Sequence, residues 1–125
     1  MLTGRINSQL EAIVRLWIRG PEDRVLEIDV LIDTGFSGFL SLPPDMIASL
    51  GLLPHGEMVG TLADGTKGLF PVYRAIISWH GQPRATFVSA IESHPLLGMG
   101  VLYDSELFMQ VIDGGEVVVQ ELGFS

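Results

Sequence analysis

A chain of 125 residues with no cysteine and a formal charge of −8 has room for one domain and one core, and it excludes disulfides, thiolate catalysis and cysteine-bound zinc. The 15 acidic residues outnumber 7 basic ones and no Lys/Arg cluster offsets them locally, so phosphate backbones are repelled and nucleic acid is not an expected partner. Hydrophobic residues make up 47% and mean hydropathy is +0.40, apolar enough that a second copy burying part of the surface is expected.

The N-terminal stretch MLTGRINSQLEAIV has no continuous apolar segment of the secretory kind. Charges such as Asp33 and Arg74 break every apolar run short of the roughly 18 residues a bilayer requires. A cytoplasmic protein with no membrane partner is therefore expected. Ala12 to Ile18 and Arg24 to Asp33 have strand composition and are separated by Gly20-Pro21-Glu22-Asp23, which predicts a β-hairpin. In its second strand Leu26, Ile28, Val30 and Ile32 fall on one face and Glu27, Asp29 and Asp33 on the other, so Asp33 emerges on the polar side of a core strand.

Phe39 to Leu42 then reads as a short strand. Pro43-Pro44-Asp45 opens a short helix through Leu50, stopped by Gly51 and Pro54. Glu57 to Leu62 and Thr66 to Tyr73 flank Ala63-Asp64-Gly65, a hairpin signal, and Val72 to Trp79 and Arg84 to Ala90 flank Gly81-Gln82-Pro83 in the same way. Pro95 to Leu102 opens a helical turn toward Glu106, and Leu107 to Ile112 with Glu116 to Leu122 close the chain as a hairpin across Asp113-Gly114-Gly115. Many short strands with one or two short helices predict an all-β chain, a small closed or partly closed β-barrel, as one domain over residues 1–125. The three histidines, His55, His80 and His94, each adjoin Gly or Pro without metal-ligand spacing, so they read as surface loop residues and no metal site is expected.

The chemistry-bearing stretch is VLIDTGFSGFLSLPP, Val30 to Pro44. Asp-Thr-Gly alone is equally an ordinary turn. Three features add to it: the apolar strand that delivers it, a glycine-containing hairpin after it, and a Leu-Leu-Gly stretch before a short helix. Against an Asp-x-Asp phosphotransferase site stand Gly35 in the place of the second carboxylate and the lack of alternating helices.

With Leu31-Ile32-Asp33-Thr34-Gly35, the hairpin around Asp64-Gly65, and Leu96-Leu97-Gly98 in that order, the chain resembles the retropepsin-like aspartic proteases of clan AA, the small single-domain bacterial and retroviral type. The resemblance implies the retropepsin barrel and an aspartic endopeptidase, a hydrolase without cofactor or metal. One catalytic aspartate per chain, Asp33, implies a homodimer whose two-fold axis brings the two Asp33 carboxylates about 3 Å apart, where they split their pKa values and share one proton. It further implies that Thr34 hydrogen-bonds across the dimer, that Gly35 lets the loops approach, and that Ser37 donates to Asp33. A flap from about Val59 to Phe70, with Thr61, Leu62, Ala63, Asp64 and Gly65 at its tip, would cover an extended peptide, and Leu96, Leu97 and Gly98 would cross beneath the aspartate loop.

Two positions depart from the family pattern. Phe36 replaces a small residue, its ring either lining a pocket or crowding the cleft, and Asp64 puts a negative charge at the flap tip. Acidic peptides are accordingly expected to be poor substrates. Terminal strands, Leu2 to Gly4 with Glu121 to Ser125, would interleave in a retroviral dimer, although Glu-Leu-Gly-Phe-Ser matches that pattern poorly. A dormant or self-processing dimeric binding module of the same fold is the alternative function.

Overall fold

The computed structural model describes residues 1–62 and 64–123. In chain order the strands are β1 (Leu2–Ile6), β2 (Ala12–Arg19), β3 (Val25–Ile32) and β4 (Leu40–Leu42). Helix α1 (Pro44–Leu50) follows, then β5 (Leu53–Thr61), β6 (Lys67–Trp79), β7 (Gln82–Ala90) and β8 (Leu96–Leu97). Helix α2 (Met99–Leu102), β9 (Ser105–Met109) and β10 (Glu116–Glu121) complete the chain.

The predicted first hairpin forms as β2 and β3, running antiparallel from Ile13↔Leu31 to Arg19↔Val25, with Arg15 bridging Glu27 (3.1 Å) and Asp29 (3.2 Å) across its outer face. Its alternation is realised: Ile28, Val30 and Ile32 are buried, Leu26 packs at the edge of the core, and Glu27 and Asp29 face out. Helix α1 starts on Pro44 and stops at Gly51, whose φ of +63° is left-handed, so both predicted boundary signals act as expected.

Ten strands join in one sheet, ordered β5-β6-β7-β4-β8-β3-β2-β1-β10-β9, and an additional β6–β2 pairing closes β6, β7, β4, β8, β3 and β2 into a ring. The closure is short, Ile18↔Ile77 and Arg19↔Ile76, and β1, β10, β9 and β5 continue outside it, so the ring is not a clean barrel. Inside lie Val14, Leu16, Ile18, Val30, Leu40, Leu42, Ile77, Val88 and Leu97, at most 1% exposed. Burying a side chain of this kind is worth about 1.5–3 kcal/mol, and the ring exists because its strands alternate so that one face meets this core.

Three elements differ from expectation. The two strands expected across Thr66 to Trp79 are one, β6, long enough to pair β5 with its first half and β2 with the end of its second. Strand β1 pairs β2 on one edge and β10 on the other, both within the chain, so the described part of the termini is already paired; Phe124 and Ser125, the end of the stretch expected to interleave, lie outside the described residues. The histidines are not uniform loop residues: His55 sits within β5, and His80 is half-buried in the β6–β7 turn with a φ of +52°. Among the described residues no group of His, Asp or Glu is arranged to hold a metal ion. No helix among them is long and apolar enough to cross a membrane.

Candidate active site

Strand β3 ends at Ile32 and the chain turns through Asp33 to Phe39 before β4. Directly beneath, β8 is inserted between the two strands, parallel to β3 (Leu31↔Leu96, Ile32↔Leu97) and antiparallel to β4 (Leu40↔Leu97, Ser41↔Leu96). A two-residue strand has no local reason to form. Leu96-Leu97 becomes one because both of its edges meet a partner.

The loop's backbone is stapled to this crossing. Asp33 N–H donates to Leu97 O (3.0 Å), Gly98 N–H to Phe39 O (2.8 Å), Met99 N–H to Phe36 O (2.8 Å) and Gly100 N–H to Gly38 O (2.9 Å). Within the loop Phe36 N–H donates to Asp33 O (3.1 Å), and the Asp33 carboxylate accepts from Gly35 N–H at Oδ1 (2.9 Å). A carboxylate so held has a fixed orientation and a second oxygen free for other work.

Gly98 is the contact point of the crossing. A Cβ there would meet Gly38 O and come within 2.7 Å of the Phe36 ring, closer than real Cβ contacts. The same ring covers Gly38, where a Cβ would lie 2.6 Å from its Cζ. Phe36 is thus half-buried across Gly38 and Gly98, filling the space that two missing side chains leave. Its bulk works inside the loop.

Asp33 is half-buried, and Thr34, Gly35 and Ser37 are exposed. Among the described residues neither the Thr34 nor the Ser37 hydroxyl makes a hydrogen bond within the chain, so the surface around the carboxylate carries polar groups without partners. The structure therefore joins Asp33 to Leu96, Leu97 and Gly98. No hydrogen bond among the described residues connects Thr61, Leu62, Asp64 or Gly65 to the loop, and Ala63 lies outside the described residues.

The β5–β6 hairpin runs in register from Glu57↔Pro71 to Thr61↔Lys67. Its tip is an Asp turn in which Asp64 Oδ1 accepts from Thr66 N–H (2.9 Å) and Oγ1 (2.6 Å). Those bonds, the hydroxyl's first, hold the exposed Asp64 carboxyl below the ordinary range. Val59 and Leu69, paired across the strands, are 61% and 66% exposed, so the hairpin presents apolar side chains that nothing in the chain covers.

An unpredicted row of contacts links this hairpin to the loop. His55 stacks on Phe87 (centroids 5.0 Å), Phe87 meets Phe39 edge-on (5.8 Å), and Ser89 Oγ donates to Met58 Sδ (3.1 Å). Phe39 is the residue whose carbonyl receives Gly98 N–H, so the row ends on the crossing itself. The period of two in Phe87 and Ser89 offered the only sequence signal, since both leave β7 on the face away from the core. A cavity of about 460 Å³ also opens beside the loop's delivering strand, lined by Arg5, Glu11, Asp29, Leu31, His94 and Pro95 among others. A smaller apolar groove of about 350 Å³ at Trp17, Ile76 and Pro83 shares no residue with the loop.

No protein-family model matches the chain, and no curated protein does. A solved structure does: the crystal structure of a retropepsin-like aspartic protease from Rickettsia conorii, with a TM-score of 0.54 and 13% identity over 98% of this chain and 91% of that one. At that identity the likeness shows architecture alone. The chain has the all-β fold of the retropepsin-like aspartic proteases.

Proposed function

We propose that the protein is an aspartic endopeptidase that works as a homodimer, each copy supplying one Asp33. The observation that carries this reading is the Asp33 loop stapled over Leu96-Leu97-Gly98 in a fold like that of a retropepsin-like aspartic protease. A half-buried carboxylate with one oxygen bound to Gly35 N–H, set among exposed Thr34, Gly35 and Ser37, is one half of a site.

Two such carboxylates side by side hold one proton between them, because ionising both would place like charges in contact. The ionised one takes a proton from water, whose oxygen attacks the peptide carbonyl carbon, while the protonated one gives its proton to the carbonyl oxygen. The resulting tetrahedral diol collapses by returning a proton to the leaving nitrogen and breaking the C–N bond. The peptide lies extended, paired by its main chain, with the exposed apolar side chains of β5 and β6 covering it. Asp64 and the net charge of −8 disfavour acidic segments.

The test compares wild type with Asp33→Asn on an unfolded protein substrate at about pH 4 to 6, with and without a pepstatin-type inhibitor. Cleavage by wild type alone, abolished by inhibitor, is expected. Equal behaviour of the two chains sinks the peptidase and favours a dimeric binding module of the same fold.

A further inference from the structure

Among the described residues the sheet has two open edges, β5 and β9. Strand β5 is blunted by Pro54, by a register shift between Pro54 and Glu57, and by Gly56 at a φ of +102°. Strand β9 has none of these devices. It runs straight along β10, from Ser105↔Glu121 to Met109↔Val117, without a register shift.

Which backbone groups β9 leaves open follows from two bonds at its ends. Gln110 N–H donates to Glu116 O and Leu122 N–H to Asp104 O, each at 2.9 Å, so positions 104, 106, 108 and 110 are the ones that bond β10. By the antiparallel alternation, Ser105, Leu107 and Met109 aim their N–H and C=O groups away from the sheet. These groups need partners, and the side chains beside them are apolar: Phe108 is 48% exposed and Ile112 64%.

The occupant of this edge is constrained by charge. Each chain carries −8, so two copies attract only where carboxylates are sparse, and Ser105 to Ile112 (SELFMQVI) holds one, Glu106. An antiparallel pairing centred on Leu107 places each Glu106 opposite the other copy's Phe108 and keeps the two carboxylates apart. It also makes about six new hydrogen bonds, since Ser105, Leu107 and Met109 each face a position of the same kind. A centre on Phe108 overlaps less of the strand, facing only Leu107 against Met109 and making about four, and a register offset by one residue, Leu107 opposite Phe108, makes none because Phe108 already bonds β10.

We propose that β9 is the dimerisation edge: two copies pair antiparallel about Leu107, continuing β1-β10-β9 of one copy into the same three strands of the other. The proposal rests on the two-copy peptidase reading and specifies how the copies meet. Retroviral interleaving is unavailable to β1, whose two edges are filled by β2 and β10. Only α2 and two further residues separate β9 from Gly98, and Met99 at the start of α2 donates to Phe36 O, so a short segment ties the edge to the Asp33 loop.

Met109→Pro tests the edge, since it deletes an outward N–H that β10 does not use. Sedimentation velocity should show its dimer dissociation constant raised about a hundredfold, for two lost hydrogen bonds per dimer, with a wild-type circular dichroism spectrum. Hydrogen exchange on the wild type reads the same edge without a substitution: Leu107 and Met109 amides should exchange slowly at high concentration and quickly on dilution. A Met109→Pro chain that dimerises like wild type, or exchange at Leu107 that ignores concentration, overturns the edge pairing and leaves the two-copy peptidase standing. A wild-type chain monomeric at every concentration overturns the edge; if that monomer cleaves through Asp33, the shared site falls with it. Should Met109→Pro not fold, wild-type exchange decides alone.

Discussion

Gly98 is where the two halves of the site touch, and it is more exacting than Asp33. Gly98→Ala sets a methyl against Gly38 O and the Phe36 ring, neither free to move without breaking the bonds from Gly98, Met99 and Gly100 to the loop. It should cost about 2–4 kcal/mol, read by urea denaturation. Asp33→Asn should instead leave stability within about 0.5 kcal/mol, because an amide oxygen still accepts from Gly35 N–H, so a thermal melt separates loss of the proposed activity from unfolding. His80 titrates against the fold. Burial, then the N-terminal charge and Arg84, lower its pKa against the opposing pull of Glu121; Nε2 meets Ser105 Oγ at 3.3 Å, and Nδ1 is buried without a partner. A lowered basic pKa means the unfolded chain binds the proton first, so this contribution is complete above the ordinary histidine range and is lost as pH falls. His80→Asn, which suits the positive φ, should therefore gain melting temperature relative to wild type between about pH 7 and 5.

The β5–β6 hairpin is held at its base by the contacts of His55, Phe87 and Phe39 and by Met58 on Ser89. Phe87→Ala removes the middle ring, and amide exchange through Met58 to Gly60 should quicken while β2 and β3 stay protected, as hydrogen-exchange mass spectrometry can show. That row was not readable from the residues, because it joins side chains of β5, β7 and the Asp33–Phe39 loop whose proximity only the closed ring creates. The hairpin of β2 and β3 and helix α1 were readable, since alternation, Gly20-Pro21 and Pro44 to Gly51 are local signals. Strand β8 lies between these cases. Leu96-Leu97-Gly98 was recognisable as a motif following Asp33-Thr34-Gly35, but its strand character depends on partners distant in sequence. Phe36 marks the same limit: its neighbours suggested a cleft residue, whereas its ring lies on Gly38 and Gly98, and the second of these comes from the crossing. The pairing of β1 with β10 was equally hidden, being a contact between the two ends of the chain.

In the proposed dimer two chains of −8 would meet around paired carboxylates, an association sensitive to both salt and protons in ways that can be told apart. General repulsion is screened over about 8–10 Å at moderate ionic strength, so raising salt should tighten the dimer in wild type and Asp33→Asn alike. The shared proton behaves differently. A dimer in which two Asp33 side chains hold one proton binds more protons than two separated chains do at the same pH, so linkage requires it to loosen as pH rises and that proton leaves. Asp33→Asn has no such proton to lose, so its dissociation constant should stay nearly flat over the pH range in which that of wild type rises. Sedimentation at several pH values and one fixed ionic strength measures this directly. A wild-type profile as flat as the variant's means that the two carboxylates do not meet, whatever edge joins the copies.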